Sequence, residues 1–521
     1  MNKIYLNLLK YHSSIYLISI VFVIFIFFLF CKDNVYMPYS DIGRELYIGS
    51  QMSNGEVLYK DIFNVYAPLG YIFNQAIICI LGNKIETFKL IGLFLSVMSA
   101  IPVFLISRQY FNKLLSFFIT ITIIPACMYF PSASSWILPY SYSVLWALCF
   151  LLWSVYLLLK FYKTDKNYNL NICLLLFGFS LCCKYEFALV LIPILAVILQ
   201  KKYPFSSFFK SLIYIFIAPI VSIIVLFLQK CTVNDLLAAY SYIKELSLSK
   251  EVFNFYYFYG FIPSFESIRN ALLSFVYISP EYEFRGIGYL NFIILIFYLI
   301  KAIKEKNYRY NNIILLSGIA FFASIKVFGS INFSLYGTYF FPLLFISLIY
   351  VLHNKIFKKK TIISVLFCLI IFCWYSFNTF NQKDLISIDT KMGTIKVYKS
   401  YEDTTRDLIK HIEDNTSSND KILILPEGVL INYLTMRNSD NMIFYLIPPN
   451  KKILTDDYIK RRIEETKPKY IYITNIMYPD YHEFSFRKGY GKEIISTIEK
   501  HYKYIDLIGE DFQIRIYENM L

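Results

Sequence analysis

The chain has 521 residues and a formal net charge of +14, and 57% of its residues are hydrophobic while only 17% are charged. So few charged side chains cannot cover the surface of a water-soluble protein of this length, which excludes an ordinary soluble fold. Many lysines and arginines lie in short segments between apolar stretches, where they act as topology determinants. We therefore expect a protein embedded in a lipid bilayer, with no nucleic-acid partner.

Apolar stretches close to the roughly 18 to 20 residues that cross a bilayer follow one another along the first two thirds of the chain. They predict about 11 transmembrane helices, at 14–31, 88–107, 114–130, 143–159, 169–183, 187–200, 209–228, 286–300, 312–326, 338–352 and 361–377. The first stretch follows Lys3 and Lys10, and no small-residue cleavage site comes after it. We expect it to be a retained span and not a cleaved signal peptide.

Orientation follows from the basic residues, which are concentrated in alternate connections between the expected spans. If the spans alternate, six basic clusters fall on one side: Lys3 and Lys10, Arg108 and Lys113, Lys160–Lys166, Lys201 and Lys202, Lys301–Arg309, and Lys355–Lys360. The positive-inside rule identifies that side as the cytoplasm. The N-terminus is then cytoplasmic, and the outer loops are 32–84 and 229–285.

The apolar stretch Val65–Leu81 is not counted among these spans. Counting it would place the later lysine clusters on the outer side, and it contains Pro68, Gly70 and Asn74. We interpret it as a helix that lies along the outer interface or re-enters the bilayer against protein.

The composition changes after about residue 377, where charged residues become frequent and apolar stretches become short. Four stretches are typical of strands: Ile422–Leu425, Met442–Leu446, Tyr470–Thr474 and Phe512–Tyr517. Helical character is found near 398–414, 455–466 and 491–502. The sequence thus predicts a transmembrane domain at 1–377 and an extracytoplasmic α/β domain at 378–521.

The first outer loop carries the densest group of polar residues. Asp41 and Glu45 are four residues apart, so a helix beginning near Ser40 places both carboxylates on one face, with Arg44 close by. Alternatively, Ser40 or Asp41 serves as the N-cap of that helix. The residues alone leave both interpretations open.

Three parts of this loop follow a recognisable order. Asp41 comes first, then Gly55-Glu-Val-Leu-Tyr-Lys-Asp61, and then Tyr66-Ala-Pro-Leu-Gly-Tyr71. With Trp136–Tyr142 and Leu335–Pro342, this layout resembles the GT-C integral membrane glycosyltransferases, including the protein mannosyltransferase and lipid A aminoarabinose transferase group. The chain departs from that pattern in having Ala-Pro where many members have paired prolines, and in lacking an adjacent Asp-Glu pair.

The resemblance implies an α-helical polytopic membrane protein that transfers a sugar, with inversion, from a polyprenyl-phosphate donor to an envelope lipid, glycan or protein. The place of action would be the outer face of the bacterial inner membrane. Asp41 would be the general base, because a carboxylate within reach of a hydroxyl accepts its proton during attack, and Glu45 is the second catalytic candidate. Such donors commonly need no metal, and no cofactor is expected.

The leaving lipid phosphate requires positive charge and polar partners. The candidate substrate-binding residues on the outer face are Arg44, Lys60, Asp61, Tyr66, Lys184, Glu186, Arg269, Arg285, Lys326 and Tyr339.

Three of the candidate features have a purely structural alternative. The charged triplet Lys184-Tyr-Glu186 is either a solvated hairpin tip or faces a polar cavity. Lys326 either snorkels at a helix end or contacts phosphate. The turn Leu425-Pro-Glu-Gly428 either connects a strand to a helix or also binds an anion.

Two other functions remain open on the sequence. An envelope-polysaccharide polymerase or ligase would place its chemistry in the long later loop, with arginines dominating. A lipid-linked sugar flippase or transporter would need ionisable groups near the bilayer midplane, often in repeated halves. The sequence shows neither pattern clearly.

Overall fold

A computed structural model describes residues 13–128, 135–248, 283–306, 311–324, 333–356, 360–382, 385–478 and 485–520. In 13, 205, 246–248, 283–289, 333–340, 355–356 and 375–382 only the backbone is described. The chain forms two compact units. The first consists of Met1–Lys32, Leu90–Ser222 and Tyr256–Thr379, and the second of Asp33–Lys89, Ile223–Phe255 and Phe380–Leu521.

Helices account for most of the described chain. In order they are α1 (Ser13–Cys31), α2 (Ile42–Ser53), α3 (Leu69–Leu81), α4 (Ile85–Ser107), α5 (Lys113–Met128), α6 (Tyr142–Thr164), α7 (Asn167–Cys183), α8 (Leu191–Gln200), α9 (Phe205–Leu228), α10 (Val233–Leu248), α11 (Glu283–Glu305), α12 (Asn311–Ser324), α13 (Phe333–Val351), α14 (Thr361–Gln382), α15 (Lys399–Asn415), α16 (Val429–Thr435), α17 (Pro448–Ile453), α18 (Asp456–Thr466) and α19 (Lys492–His501). A 3-10 helix, Tyr185–Val190, precedes α8, and a π-helical turn, Leu352–Ile356, follows α13.

Four helices in the described part of the chain are long and apolar enough to cross a membrane: Ser14–Cys31, Ile85–Ser107, Tyr142–Thr164 and Ser206–Leu228. Their mean hydropathies lie between 2.1 and 2.9. Large apolar side chains on α1, among them Ile18, Phe22 and Phe30, are exposed. A helix that is apolar on all sides and exposed in this way suits a lipid environment. The total of about 11 spans stays a prediction.

Small and polar side chains join the helices of the first unit. Ser154 of α6 donates to the Cys173 carbonyl of α7 at 2.9 Å, and Ser180 of α7 donates to the Ala147 carbonyl of α6 at 2.8 Å. Hydrogen bonds of this kind between apolar helices leave few polar groups unsatisfied where water is absent. The small serine side chains also allow the two helices to approach closely.

The second unit contains two sheets among its described residues. The strands are β1 (Asn34–Tyr36), β2 (Leu385–Thr390), β3 (Gly393–Tyr398), β4 (Ile422–Leu425), β5 (Tyr470–Thr474), β6 (Tyr502–Ile508) and β7 (Ile514–Asn519). The first sheet has the order β1-β3-β2, and the second has the order β4-β5-β7-β6. Because β1 pairs in parallel with β3, the start of the first outer loop belongs to the same sheet as residues near 396.

The buried face of the second sheet forms the main apolar core of this unit. Leu423 and Leu425 of β4 and Ile471 and Ile473 of β5 are at most 2% exposed. They pack with apolar residues of α18 and α19 and with Phe63 from the first outer loop. The first loop therefore contributes directly to the core of the C-terminal residues.

Most of the elements predicted after residue 377 are confirmed. The strands at Ile422–Leu425 and Tyr470–Thr474 are found at those residues, and the last strand begins two residues later than predicted. The helices near 398–414, 455–466 and 491–502 correspond to α15, α18 and α19. The division at residue 377 into two domains stays a prediction.

The strand predicted at Met442–Leu446 is wrong. Met442 and Ile443 lie in a turn instead, because the Asp440 carboxylate accepts a hydrogen bond from the Met442 amide at 2.9 Å and the Asp440 carbonyl accepts one from the Ile443 amide at 3.1 Å. The segment is apolar because it is buried, and not because it is part of a sheet.

The stretch Val65–Leu81 forms the helix α3 only from Leu69 onward. Its 13 residues extend about 20 Å, which is shorter than the roughly 30 Å hydrocarbon layer of a bilayer. Asn74 is fully buried, and Gln75 donates to the Met52 carbonyl at 2.8 Å. An interfacial position for this helix stays a prediction.

Lys89, near the start of α4, is buried and binds three groups of the second unit. Its Nζ lies 2.5 Å from Asp33 and 3.4 Å from Glu86, and it donates to the Thr394 carbonyl at 2.9 Å. One ammonium group thus connects the start of the first outer loop, the start of α4 and strand β3.

We expect Lys89→Met to lower the free energy of unfolding by on the order of 2 kcal/mol. The reason is that the largely buried Asp33 carboxylate loses the ammonium group that is paired with it. The measurement is the thermal unfolding midpoint of the full chain in detergent. Lys84→Met is the control, since Lys84 is exposed. Equal midpoints for the two variants would show that the Lys89 contacts do not hold this region together.

Candidate active site

Asp41 lies immediately before α2, at the N-cap position. Its side chain makes no capping hydrogen bond, and Ser40 instead donates to the Met37 carbonyl at 2.9 Å. The capping interpretation is therefore wrong for the Asp41 side chain. The carboxylate is available for other partners.

Two side chains hold one oxygen of the Asp41 carboxylate. Arg44 lies 2.9 Å from Oδ1, and the Tyr445 hydroxyl donates to the same oxygen. Within the described residues no hydrogen bond reaches Oδ2. Because the Asp41 side chain is 32% exposed, this second oxygen is accessible to a molecule from outside.

Arg44 is itself buried, with a side chain only 4% exposed. Its guanidinium lies 4.3 Å from the ring centre of Tyr66 and 5.0 Å from that of Tyr445. It also lies 3.9 Å from the Glu45 carboxylate. A buried cation needs such compensation, and aromatic faces and carboxylates supply it. Arg44 consequently fixes the position of Asp41.

A second carboxyl group, that of Glu427, belongs to the same cluster. Glu427 is 7% exposed and accepts a hydrogen bond from the Tyr478 hydroxyl at 3.0 Å. Burial raises the pKa of Glu427 to about 8, and the negative charge of Asp41 adds to the effect. The Tyr478 hydrogen bond and the Arg44 charge oppose it. Near neutral pH, Glu427 is then mostly a neutral acid.

Two glycines allow these side chains to meet. A Cβ on Gly43 would lie 2.4 Å from the Leu430 backbone nitrogen, so α2 and α16 approach with no room for a side chain. Gly428 has a φ of 148°, a conformation that other residues rarely adopt. It directly follows Glu427 and begins the approach to α16. The turn Leu425–Gly428 therefore depends on this glycine.

The structure brings together four of the predicted site residues: Asp41, Arg44, Glu45 and Tyr66. Glu45 is fully buried, so Asp41 is the member of the predicted acidic pair that faces outward. Lys60 and Asp61 lie apart from this cluster and line a polar cavity of the same unit.

Lys184 and Glu186 belong to the first unit. Their charged groups are 3.7 Å apart, and their side chains are 8% and 16% exposed. The pair is thus mostly buried, which does not fit a hairpin tip kept in water. Arg269 and Lys326 lie outside the described residues, as do the side chains of Arg285 and Tyr339.

Sequence reasoning missed Glu427, Tyr445 and Tyr478 as members of the site. The turn Leu425-Pro-Glu-Gly428 was a usable signal for Glu427, since it places a carboxyl group directly after a buried strand. Tyr445 and Tyr478 had no comparable signal in a chain with 47 tyrosines.

The cluster does not fit a metal centre. Among the described residues, no group of three or more His, Cys, Asp or Glu side chains is placed to hold a metal ion. The Asp41 oxygen nearest to other charged groups is already bound by Arg44 and Tyr445.

Comparison with solved structures identifies similar folds. The Archaeoglobus fulgidus oligosaccharyltransferase, solved in complex with Zn and sulfate, aligns with a TM-score of 0.51 and 11% identity, over 97% of this chain and 73% of that one. The same enzyme tethered to an acceptor peptide containing the NVT sequon aligns with a TM-score of 0.51 and 11% identity, over 98% of this chain and 74% of that one. ArnT from Cupriavidus metallidurans bound to undecaprenyl phosphate aligns with a TM-score of 0.47 and 8% identity, over 97% of this chain and 98% of that one. No protein-family model and no curated protein sequence matches the chain.

The likeness to the archaeal enzyme, a GT-C glycosyltransferase, concerns the fold. The chain is a membrane protein with the GT-C fold. The resemblance indicated by the first outer loop is thereby confirmed.

We expect Gly43→Ala to separate α2 from α16, because the new methyl group would overlap the Leu430 backbone. Overpacking of this kind costs about 1–3 kcal/mol, and the displacement moves Asp41 away from Tyr445. The thermal midpoint should fall, and so should any transfer activity. Gly318→Ala is the control, since the nearest atom to its new Cβ would be 3.9 Å away. A Gly43→Ala protein with the wild-type thermal midpoint would contradict the close packing of α2 against α16.

The raised pKa of Glu427 predicts a pH-dependent stability. Between pH 4.5 and about 8 the folded protein keeps a proton that the unfolded chain has lost, so stability falls as pH rises through this window. The total effect amounts to at most a few kcal/mol. Glu427→Gln should remove most of this pH dependence of stability, whereas Glu510→Gln, at an exposed position, should leave it unchanged. Thermal midpoints at several pH values in this window test the prediction, and parallel curves for wild type and Glu427→Gln would refute it.

Proposed function

We propose that the chain is an inverting glycosyltransferase that moves a sugar from a polyprenyl-phosphate donor to a hydroxyl group of an envelope lipid, glycan or protein. The reaction takes place on the outer face of the bacterial inner membrane, with the N-terminus in the cytoplasm. The GT-C fold supports this class, because an oligosaccharyltransferase with that fold has been solved with a tethered acceptor peptide.

The proposal rests on the hydrogen-bond partners and exposure of the Asp41 carboxylate. One of its oxygens is held by Arg44 and Tyr445, while the other is open and the side chain is 32% exposed. A general base must be fixed in position and still reach the proton that it removes. Asp41 meets both conditions, whereas Glu45 is fully buried.

In the proposed reaction the acceptor hydroxyl lies against Asp41 Oδ2 and attacks the anomeric carbon of the donor sugar. The new bond forms between the hydroxyl oxygen and the anomeric carbon as the bond from that carbon to the phosphate oxygen breaks. The hydroxyl proton passes to Asp41, and the polyprenyl phosphate leaves with the bonding electron pair. A single displacement inverts the anomeric configuration and needs no second nucleophile.

Glu427 contributes by being neutral. A buried ionised carboxylate beside Asp41 would repel the negative phosphate of the donor, and the raised pKa of Glu427 avoids this near neutral pH. Tyr445 and Arg44 hold the Asp41 carboxylate in position before the acceptor arrives. Preorganisation of this kind removes the need to rearrange charges during the reaction.

The donor phosphate needs cationic partners as its charge develops. We assign this role to Lys184, oriented by Glu186 at 3.7 Å, and to Arg269, Arg285 and Lys326. Tyr66 and Tyr339 are proposed to contact the substrate as well. Arg44 acts through Asp41, since it is buried beneath two aromatic rings.

The test is sugar transfer by purified protein in vesicles, using undecaprenyl-phosphate-linked monosaccharides labelled in the sugar and an envelope extract as acceptor. Asp41→Asn should lower the transfer rate by at least about 100-fold, because general base catalysis typically contributes that much or more. Asp407→Asn, at an exposed position of α15, should transfer at the wild-type rate.

Each other result has a definite meaning. Undiminished transfer by Asp41→Asn would reject Asp41 as the base. A wild-type protein that uses none of the lipid-phosphate donors would reject the donor class. Movement of the labelled lipid across the vesicle without transfer would instead identify a flippase.

A further inference from the structure

A second polar feature of this unit is a cavity that the proposed transfer step does not use. Its volume is about 290 Å³, and Gln51, Glu56, Lys60, Asp61, Lys421 and Asn438 are among the residues that line it. Ligand cavities usually measure about 300–1,000 Å³, so this one suits a ligand of the size of a monosaccharide.

The cavity lies away from Asp41 along the same helix. Gln51 is in the last turn of α2 and Asp41 directly precedes its first residue. Ten residues of helix extend about 15 Å. Tyr47, between them, donates from its hydroxyl to Asn441 at 2.8 Å. One rigid element therefore sets the distance between the cavity and the proposed catalytic base.

The charges that line the cavity balance one another. It contains two carboxylates and two ammonium groups, those of Glu56 and Asp61 and those of Lys60 and Lys421. Arg462 also lines it, but its charge is paired with Asp440 at 3.0 Å. A strongly anionic ligand would meet the carboxylates, and a cationic ligand would meet the lysines. The lining is therefore best matched by a neutral ligand.

The lining also offers many hydrogen-bond donors and acceptors in fixed positions. Gln51 donates to Asn438 at 3.1 Å, and the Tyr47 hydroxyl both donates to Asn441 and accepts from the Ser439 amide at 2.7 Å. These hydrogen bonds orient the amide side chains and leave part of their hydrogen-bonding capacity for a ligand. Lys60 and Lys421 have no carboxylate within 4 Å among the described residues, so their ammonium groups remain able to donate.

Sugar hydroxyl groups both donate and accept hydrogen bonds, and this mixture of amides, carboxylates and ammonium groups satisfies both roles. We propose that the cavity binds a neutral sugar unit of the acceptor, at a site separate from Asp41. The inference rests on the proposed function only in assigning that sugar to the acceptor glycan. The rigid α2 would then hold a neighbouring part of the glycan at a fixed distance from Asp41.

The experiment measures sugar binding by the full chain in nanodiscs, without any donor, by saturation-transfer NMR. The probes are the methyl glycosides of glucose, galactose, mannose and N-acetylglucosamine, with glucuronic acid and glucose 1-phosphate as acidic counterparts. Asn438→Ala and Lys421→Ala should each weaken binding of a neutral sugar about threefold to tenfold, the effect of one hydrogen bond. Both residues are exposed to the cavity, so their truncation spares the core.

Three variants serve as controls. Asn415→Ala and Lys503→Ala, at exposed positions outside the cavity lining, should bind as the wild type does. Asp41→Asn should also bind normally, which separates failure of this inference from failure of the transferase proposal. Equal affinity in Asn438→Ala, Lys421→Ala and the wild type would overturn the inference. A preference for the acidic probes, or no binding of any neutral sugar, would overturn it as well.

Discussion

One buried cation, the guanidinium of Arg44, joins the residues around Asp41 to the C-terminal part of the second unit. It lies against the rings of Tyr66 and Tyr445 and bonds the Asp41 carboxylate, so it connects the first outer loop to the C-terminal residues. Truncating a buried charged group leaves its partners unmatched, which is costly. The contact that fixes Asp41 is therefore also a contact that joins two distant parts of the sequence.

The two carboxyl groups of the site differ because their surroundings differ. Asp41 is partly exposed and bound by a cation and a hydroxyl group, whereas Glu427 is buried beside an existing negative charge. Burial and like charge both favour the neutral acid. Two similar side chains thereby differ in chemistry, since Glu427 favours its neutral form whereas Asp41 is held by a cation and a hydroxyl group.

Hydropathy and basic residues were sufficient to predict the helical membrane class, and local patterns predicted strands β4 and β5 at the correct residues. The resemblance of the first outer loop selected Asp41 as the candidate base, and that role stays a prediction. The remaining partners were not predictable, because Tyr445 reaches Asp41 across 404 residues of sequence. Its segment, Met442–Leu446, has the apolar pattern of a strand, yet the Asp440 side chain holds its start in a turn. Local periodicity contains no information about such distant contacts.

The parallel pairing of β1 with β3 also constrains how the protein is made. A ribosome delivers residues 34–36 long before residues 393–398, and the intervening membrane helices are inserted in between. Contacts between distant residues form slowly, since a long loop must close first. Strand β1 and Arg44 therefore remain without their C-terminal partners until the last third of the chain has been synthesised.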